Sequence, residues 1–288
     1  MRPRAAVAQR TAVAQRTAVA QRVAAGFLLA LTLAGCGGSA LTADSGRAPA
    51  GIELTVFAAA SLREAFGAVK ESYEATTPGV TLVFSFDASS ALRAQVEQGA
   101  PVDVFASADT RNPRILVDAG LTSGEPLAFA GNRLAIVVPA ANPAGIAAPV
   151  DLARPGVRLV NAGPEVPITA YASEMLGNLA RLPGYPEGYV AAVAANVVSR
   201  EDNVQAVLAK IQLGEGDAGV VYATDATAAG DDVRTIPIPD EANVVATYTA
   251  VVPKDAPHPE AASSFLAWLR GPEGMAVLAR FGFADPTS

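Results

Sequence analysis

From Ile52 onward, apolar and polar positions follow two alternating patterns. Short continuous apolar runs are typical of strands covered on both faces, whereas longer segments with apolar residues three or four apart are typical of helices. The runs predict strands at 52–59, 80–87, 102–107, 133–139, 157–161, 196–199, 218–222 and 243–252. The helical spacing predicts helices at 62–75, 90–98, 111–119, 168–181, 186–195, 203–213, 259–269 and 272–280. This alternation predicts an α/β fold with right-handed connections between parallel strands.

A loop rich in Pro, Ala and Gly at 140–149 divides the alternation into two series. Only two segments are placed to run between the series, Leu134–Pro139 and Val244–Pro253. We therefore expect two lobes joined by two strands, with a ligand site in the cleft and a hinge that permits closure. The predicted lobes are 52–132 together with 250–288, and 133–249.

Four of the predicted strand-to-helix junctions carry small or helix-capping residues. Ser61 follows the first strand and precedes Glu64 by three residues, which is the spacing of a capping box. Ser89, Pro167 and Asn203 occupy similar places at three later junctions. Helix starts expose unpaired N–H groups, and ligands of open α/β sheets gather at the carboxyl ends of strands. We expect the junctions to converge on one small oxyanion, although each serine taken alone also suits a simple helix cap.

The first 35 residues have the pattern of a targeting segment. Five arginines precede an apolar run at 23–33 that is too short for a stable membrane anchor. The segment Leu33-Ala34-Gly35-Cys36 resembles a bacterial lipobox, in which the cysteine becomes the acylated first residue; an ordinary secretory signal with an incidental cysteine is the alternative. Residues 36–51 are expected to be a flexible tether. Either form of processing places the mature protein outside the cytoplasm.

Removal of residues 1–35 makes the chain more acidic. The full sequence has 21 basic and 28 acidic residues, and the removed segment contains five arginines and no acid. The mature chain therefore has 16 basic and 28 acidic residues, a formal net charge of −12. This charge disfavours nucleic acid and anionic membrane surfaces as partners, so an anionic ligand must be held by local dipoles and hydrogen bonds. The single histidine, His258, argues against a zinc site.

Six segments in this order resemble the molybdate-binding proteins of bacterial ABC importers, a family with the type II periplasmic binding fold. They are Thr55–Leu62, Ser89–Leu92, Gly99–Asp109, Pro164–Pro167, Gly214–Tyr222 and Leu269–Pro272. The resemblance spans about residues 52–283 and implies mixed, mainly parallel sheets in two lobes, with two crossover strands as the hinge. It also implies delivery of the ligand to an ABC permease and no cofactor, and the lipobox implies membrane attachment through Cys36. We expect the protein to be a monomer.

In that family, neutral groups hold a tetrahedral oxyanion: two serine hydroxyls with their amides, two backbone amides and one tyrosine hydroxyl. The resemblance implies that the two serines here are Ser61 and Ser89. It implies that the two amides are those of Ile168 and Val204, and that the tyrosine is Tyr222. A one-residue gap before Pro167 and an extra residue at Asn203 leave each amide position open by one residue. Ser90 can share the role of Ser89, and Tyr222 can instead be a packing wedge between sheet and helix.

Molybdate, tungstate and sulfate carry no proton at neutral pH, so a site for them needs only donors. Phosphate keeps a proton and needs an acceptor; none of the five groups is acidic, but Asp87 and Asp225 lie close in sequence, so sulfate and phosphate both remain alternative ligands. Asp109 is expected to cap the next helix, with a bridge between the lobes as the alternative. A serine hydrolase is the remote alternative, since the chain lacks a G-x-S-x-G elbow and its histidine lies in a Pro-His-Pro segment. We therefore expect a binding protein and not an enzyme.

Overall fold

The computed structural model describes residues 51–286. Its strands are β1 Ile52–Ala59, β2 Val80–Asp87, β3 Val104–Ser107, β4 Leu127–Pro139, β5 Leu159–Ala162, β6 Val197–Glu201, β7 Ala218–Tyr222, β8 Val233–Ile236 and β9 Val245–Val251. Its α-helices are α1 Arg63–Thr76, α2 Ser89–Glu97, α3 Arg111–Asp118, α4 Pro167–Leu179, α5 Tyr189–Ala195, α6 Val204–Gln212, α7 Ala223–Ala229, α8 Pro259–Arg270 and α9 Pro272–Arg280. Short 3-10 turns are formed by Ala60–Leu62, Pro149–Ala153 and Gly230–Asp232.

The predicted signal segment, the lipobox cysteine Cys36 and nearly all of the predicted tether lie outside the described residues. Among the helices of residues 51–286, none is both long enough and apolar enough to cross a membrane. The lipid anchor therefore stays a prediction from the sequence.

Most predicted elements are present to within a few residues, but α7 and β8 were missed. They lie on either side of the short polar turn Gly230–Asp232. The α7 sequence, ATDATAA, has no large apolar residue at helical spacing, and β8 is only four residues long. The strand predicted from Arg133 begins earlier, at Leu127, because pairing with β9 continues through Gly131 and Asn132, which interrupt the apolar run.

The strands form a nine-stranded mixed sheet in the order β2-β1-β3-β9-β4-β7-β5-β6, with β8 paired to β4. Toward one end, β1 lies parallel between β2 and β3. Toward the other end, β5 lies parallel between β6 and β7. β4 and β9 pair antiparallel with their neighbours and connect the two parallel groups. This topology confirms the predicted α/β fold with mixed strands.

The chain passes between the two parallel groups at two places. β4 pairs with β9 up to Arg133 and with β7 from Leu134 onward. The chain returns between β8 and β9, where the Asn243 side chain accepts a hydrogen bond from Leu134 N–H at 3.1 Å and donates to the Leu134 carbonyl at 3.0 Å. Of the described strands, only β3 and β4 pair with β9. The exact lobe limits stay a prediction.

The two C-terminal helices, α8 and α9, pack against α1 beside the first parallel group. The ring of Tyr73 in α1 lies 5.1 Å from the ring of Phe265 and 5.2 Å from that of Trp268 in α8. Phe265 and Leu278 are fully buried, so the apolar face of these helices belongs to the core. Burial of side chains of this size stabilises the fold by about 1.5–3 kcal/mol each.

Candidate functional site

The carboxyl ends of β1, β2, β3 and β7 and the first residues of α2, α4 and α6 surround one small cavity. Its volume is about 10 Å³, close to the smallest that holds a water-sized group. The residues that line it are Ala59, Ala60, Ser61, Asp87, Ala88, Ser89, Ala108, Val166, Pro167, Asn203, Val204 and Tyr222. None of these lining residues is a lysine, arginine or histidine, so the walls offer dipoles and hydrogen bonds and no positive side chain.

The structure brings four of the five predicted contact residues to this cavity. Ser61, Ser89, Val204 and Tyr222 line it. Ile168 does not: it is buried one residue beyond Pro167, which lines the cavity in its place. Because Pro167 has no N–H, the first amide that this helix start can offer is that of Ile168.

Ser61 lies in the 3-10 turn between β1 and α1, and the predicted capping box is absent. Leu62 precedes α1, and no side chain caps this helix. The turn carries the Ser61 hydroxyl away from the helix, and its Oγ lies 2.8 Å from the Oη of Tyr248 on β9. Both side chains are buried, so this is an interior hydrogen bond between residues far apart in sequence.

Ser89 is the first residue of α2, and it does not cap that helix either. Its Oγ accepts a hydrogen bond from Ala108 N–H at 3.0 Å, which ties the start of α2 to the end of β3. A hydroxyl that accepts from the protein keeps its own proton free to donate. The neighbouring Ser90 is buried but does not line the cavity. Asp109 precedes the N-cap residue of α3, Thr110, and its Oδ1 accepts from Asn112 N–H in the first turn at 3.0 Å.

Asn203 joins the two sides of the cavity. Its Oδ1 caps α6 by accepting from Ala206 N–H at 3.1 Å, and its Nδ2 donates to Asp87 Oδ1 at 3.0 Å. Asp87 ends β2, and the same oxygen also accepts from Ala88 N–H at 2.7 Å. The Asp87 carboxylate therefore lines the cavity, and one of its oxygens accepts two hydrogen bonds. Val204, the first residue of α6, leaves its amide without an intrahelical partner.

Tyr222 ends β7, and its hydroxyl is buried without a hydrogen-bond partner among the described residues. Burial raises the pKa of Tyr222 well above its usual value, so the hydroxyl stays protonated and can donate. An unpaired buried hydroxyl costs about 1–3 kcal/mol. A polar ligand in the cavity can remove that cost by accepting from Tyr222.

Asp225 lies directly behind Tyr222, in the first turn of α7. Its Oδ1 accepts from Gln205 Nε2 at 2.8 Å, and its Oδ2 accepts from Tyr222 N–H at 3.2 Å. Desolvation outweighs these hydrogen bonds and raises the pKa of Asp225 to about 7. Near neutral pH this carboxyl is therefore partly protonated, which reduces the negative charge close to the cavity.

Sequence reasoning predicted a capping residue at Asn203, which does cap α6, but it did not find the hydrogen bond between Asn203 and Asp87 or the role of Tyr248. Asp87 and Asn203 each stand at a junction that was singled out, so their position in the chain was the available signal. Tyr248 lies in mid-strand, and no local pattern marks it; its partner is Ser61 because β9 is next but one to β1 in the sheet.

Comparison with known proteins places the chain among extracytoplasmic binding proteins. Residues 54–284 match the family described as bacterial extracellular solute-binding protein. Over 260 residues the chain is 37% identical to the molybdate-binding protein ModA of Mycobacterium tuberculosis, and the alignment covers 90% of this chain and 95% of that protein.

Solved structures share the same fold. The sulfate-binding protein SubI from Mycobacterium tuberculosis matches with a TM-score of 0.72 at 21% identity, over 81% of this chain and 87% of SubI. The periplasmic molybdate-binding protein of Azotobacter vinelandii matches with a TM-score of 0.66 at 22% identity, over 81% of this chain and 99% of that chain. At this level of identity the two matches describe the fold and leave the ligand open.

Proposed function

The chain belongs to the family of bacterial extracellular solute-binding proteins, and we propose that it captures molybdate or tungstate outside the cytoplasm and delivers it to an ABC permease. One observation carries this proposal: Ser61, Ser89 and Tyr222 share one small cavity, and the Tyr222 hydroxyl has no partner in the described protein. The 37% identity to a molybdate-binding protein over nearly the whole chain supports the choice of ion.

The chemistry of the walls suits an anion without protons. The hydroxyls of Ser61, Ser89 and Tyr222 and the amides of Ile168 and Val204 are the proposed contacts, and all of them are donors. Hydrogen bonds to a charged group contribute about 1.5–3 kcal/mol each, so several together offset the cost of taking a dianion out of water. A four-oxygen anion needs more room than one water molecule. Its entry therefore requires the walls to separate, as a hinge between lobes permits.

The same proposal assigns the protein's place in the cell. Cys36, outside the described residues, carries the lipid that holds the mature chain at the membrane, and residues 36–51 tether the domain. The acidic mature chain, with no nucleic-acid partner, acts as a monomer that presents its ligand to the membrane subunits of the permease. Ser61 and Ser89 serve as ligand donors and not as nucleophiles, because no histidine lines the cavity.

Asp87 favours a second candidate, an oxyanion that keeps a proton, such as phosphate. Its carboxylate lines the cavity and can accept a hydrogen bond that a fully deprotonated ion cannot donate. Sulfate, in contrast, has the same hydrogen-bonding needs as molybdate and differs from it in size. The ligand experiment therefore includes all of these ions.

Isothermal titration of the mature protein with molybdate, tungstate, sulfate and phosphate at pH 7.5 tests the proposal. We expect molybdate and tungstate to bind most tightly, and Ser61→Ala and Ser89→Ala each to weaken binding by about 10- to 100-fold through loss of one charge-assisted hydrogen bond. Ser90→Ala is the matched control, because Ser90 is a buried serine that does not line the cavity. Unchanged affinity in both cavity variants would exclude this site.

Asp87→Asn separates the two candidate ligands. If the ligand is molybdate, removal of a negative charge from the wall should raise affinity by about threefold or more. If the ligand is phosphate, the variant loses the acceptor for the phosphate proton, and binding should fall at least about 10-fold. The same titration decides between these outcomes.

A further inference from the structure

We propose that Tyr248 is a positioning residue that makes Ser61 a hydrogen-bond donor toward the ligand. This inference rests on the proposed function and adds a group that does not line the cavity. Tyr248 lies on β9, is fully buried, and places its Oη 2.8 Å from Ser61 Oγ. That contact alone leaves open which hydroxyl donates, and we infer the direction from the next residue in the network, Asn132.

Asn132 on β4 lies behind Tyr248 and donates a hydrogen bond to its hydroxyl oxygen. The Asn132 Nδ2 donates to Thr224 Oγ1 at 2.8 Å and to Tyr248 Oη at 3.4 Å. An amide nitrogen can only donate, so Tyr248 Oη accepts from Asn132. Among the hydrogen bonds of the described residues, Ser61 Oγ is then the one acceptor that the Tyr248 proton can reach. Ser61 Oγ then accepts from Tyr248, and the Ser61 proton is left to point into the cavity.

Both cavity serines therefore accept a hydrogen bond from the protein and keep their own proton to donate to the ligand, but different groups hold them in this orientation. Ser89 Oγ accepts from the backbone N–H of Ala108, and Ser61 Oγ accepts from the side chain of Tyr248. A backbone N–H cannot reverse its direction, whereas a phenol hydroxyl can. Whether Ser61 donates toward the cavity consequently depends on Asn132. The preference of the site for a proton-free oxyanion therefore depends on the whole hydrogen-bond chain from Asn132 through Tyr248 to Ser61, which we call the relay.

Packing holds Tyr248 in place for this role. Its ring makes edge contacts with Phe129 at 6.2 Å, Tyr222 at 5.5 Å and Phe283 at 5.4 Å between ring centroids. Burial raises the pKa of Tyr248 well above its usual value, so the hydroxyl keeps its proton. Because the ring also packs against Tyr222, loss of the hydroxyl alone must be separated from loss of the ring.

Tyr248→Phe keeps the ring and removes only the hydroxyl. In titrations with molybdate we expect affinity to fall about five- to tenfold, since Ser61 loses the bond that orients it. In the Ser61→Ala background the same change should alter affinity by less than about twofold. Tyr189→Phe is the matched control: its buried hydroxyl donates to the Pro149 carbonyl at 2.7 Å, away from the cavity, and its loss should leave affinity unchanged. Equal losses with and without Ser61 would overturn the inference.

Asn132→Asp tests the direction of the relay. At pH 8 the new carboxylate accepts from Tyr248, so Ser61 must donate to Tyr248 and turn its lone pairs toward the ligand. Affinity should fall by more than in Ser61→Ala, and adding Tyr248→Phe should then raise it, the opposite of its effect in the wild type. If Tyr248→Phe lowers affinity in both backgrounds, the relay is wrong. A wild-type protein that binds no oxyanion would refute the proposed function instead, so the two failures are distinguishable.

Discussion

Replacement of Asp225 by Asn should remove a pH dependence of folding stability that this carboxyl creates. Asp225 is 3% exposed, and its two oxygens accept only from Gln205 Nε2 and Tyr222 N–H among the hydrogen bonds of the described chain. Loss of hydration disfavours the ionised form more than these two donors favour it, and the pKa rises from 3.8 to about 7.

The direction of this pH dependence follows from whether the folded or the unfolded state holds the proton of Asp225. Between pH 3.8 and about 7, the folded protein holds a proton on Asp225 that the unfolded chain has released. The free energy of unfolding therefore falls as pH rises through this interval. A pKa of about 7 in place of 3.8 corresponds to a loss of about 4 kcal/mol, complete above pH 7 and absent below about pH 4. The variant avoids this loss because its amide never ionises, and Gln205 can rotate to accept from it.

Urea denaturation of both proteins between pH 4.5 and 8 measures this difference. We expect the stability of Asp225→Asn relative to wild type to rise by about 3–4 kcal/mol across the range. Taking the difference in stability between variant and wild type cancels the opposite trend that other carboxyls produce. Glu201 and Asp217, for example, have lowered pKa values and stabilise the fold as pH rises. A relative stability that varies by less than about 1 kcal/mol over this range would refute the reasoning.

Two further changes test the cavity wall and the helix packing. Asn203→Asp should weaken molybdate binding by at least about 10-fold, because the new carboxylate keeps the helix cap but repels Asp87; titration should show recovery when Asp87→Asn is added. Gly274→Ala should lower the free energy of unfolding by about 1–3 kcal/mol, because its Cβ would lie 2.4 Å from the Leu269 carbonyl oxygen. Gly67→Ala in α1, with nothing within 4 Å of its Cβ, should raise the free energy of unfolding by about 0.5–1 kcal/mol. Equal shifts of the melting temperature in the two glycine variants would contradict this reasoning.

Local patterns predicted the elements whose burial is complete or strictly periodic. β1 is a mainly apolar run that is buried from Val56 to Ala59, and it ends at Ala59 as predicted. α7 was missed because its helix contains only Ala, Thr and Asp, so no large apolar side chains mark a helical face. The early start of β4 was missed because residues 127–132 become a strand through pairing with β9, more than a hundred residues later. Partners at that distance in sequence leave no local pattern.

The candidate site shows the same limit at the scale of single hydroxyl groups. Small and capping residues at the junctions correctly pointed to Ser61 and Ser89 as neighbours of one cavity, yet neither serine caps its helix. Their hydroxyls instead form hydrogen bonds with Tyr248 and with Ala108 N–H, partners that depend on the order of β1, β3 and β9 in the sheet. This difference bears on function. A serine that caps its own helix occupies one of the helix's first N–H groups, whereas long-range partners leave those groups free to bind an anion. The residues that mark a helix start can therefore serve a ligand only because the tertiary fold gives their hydroxyls another partner.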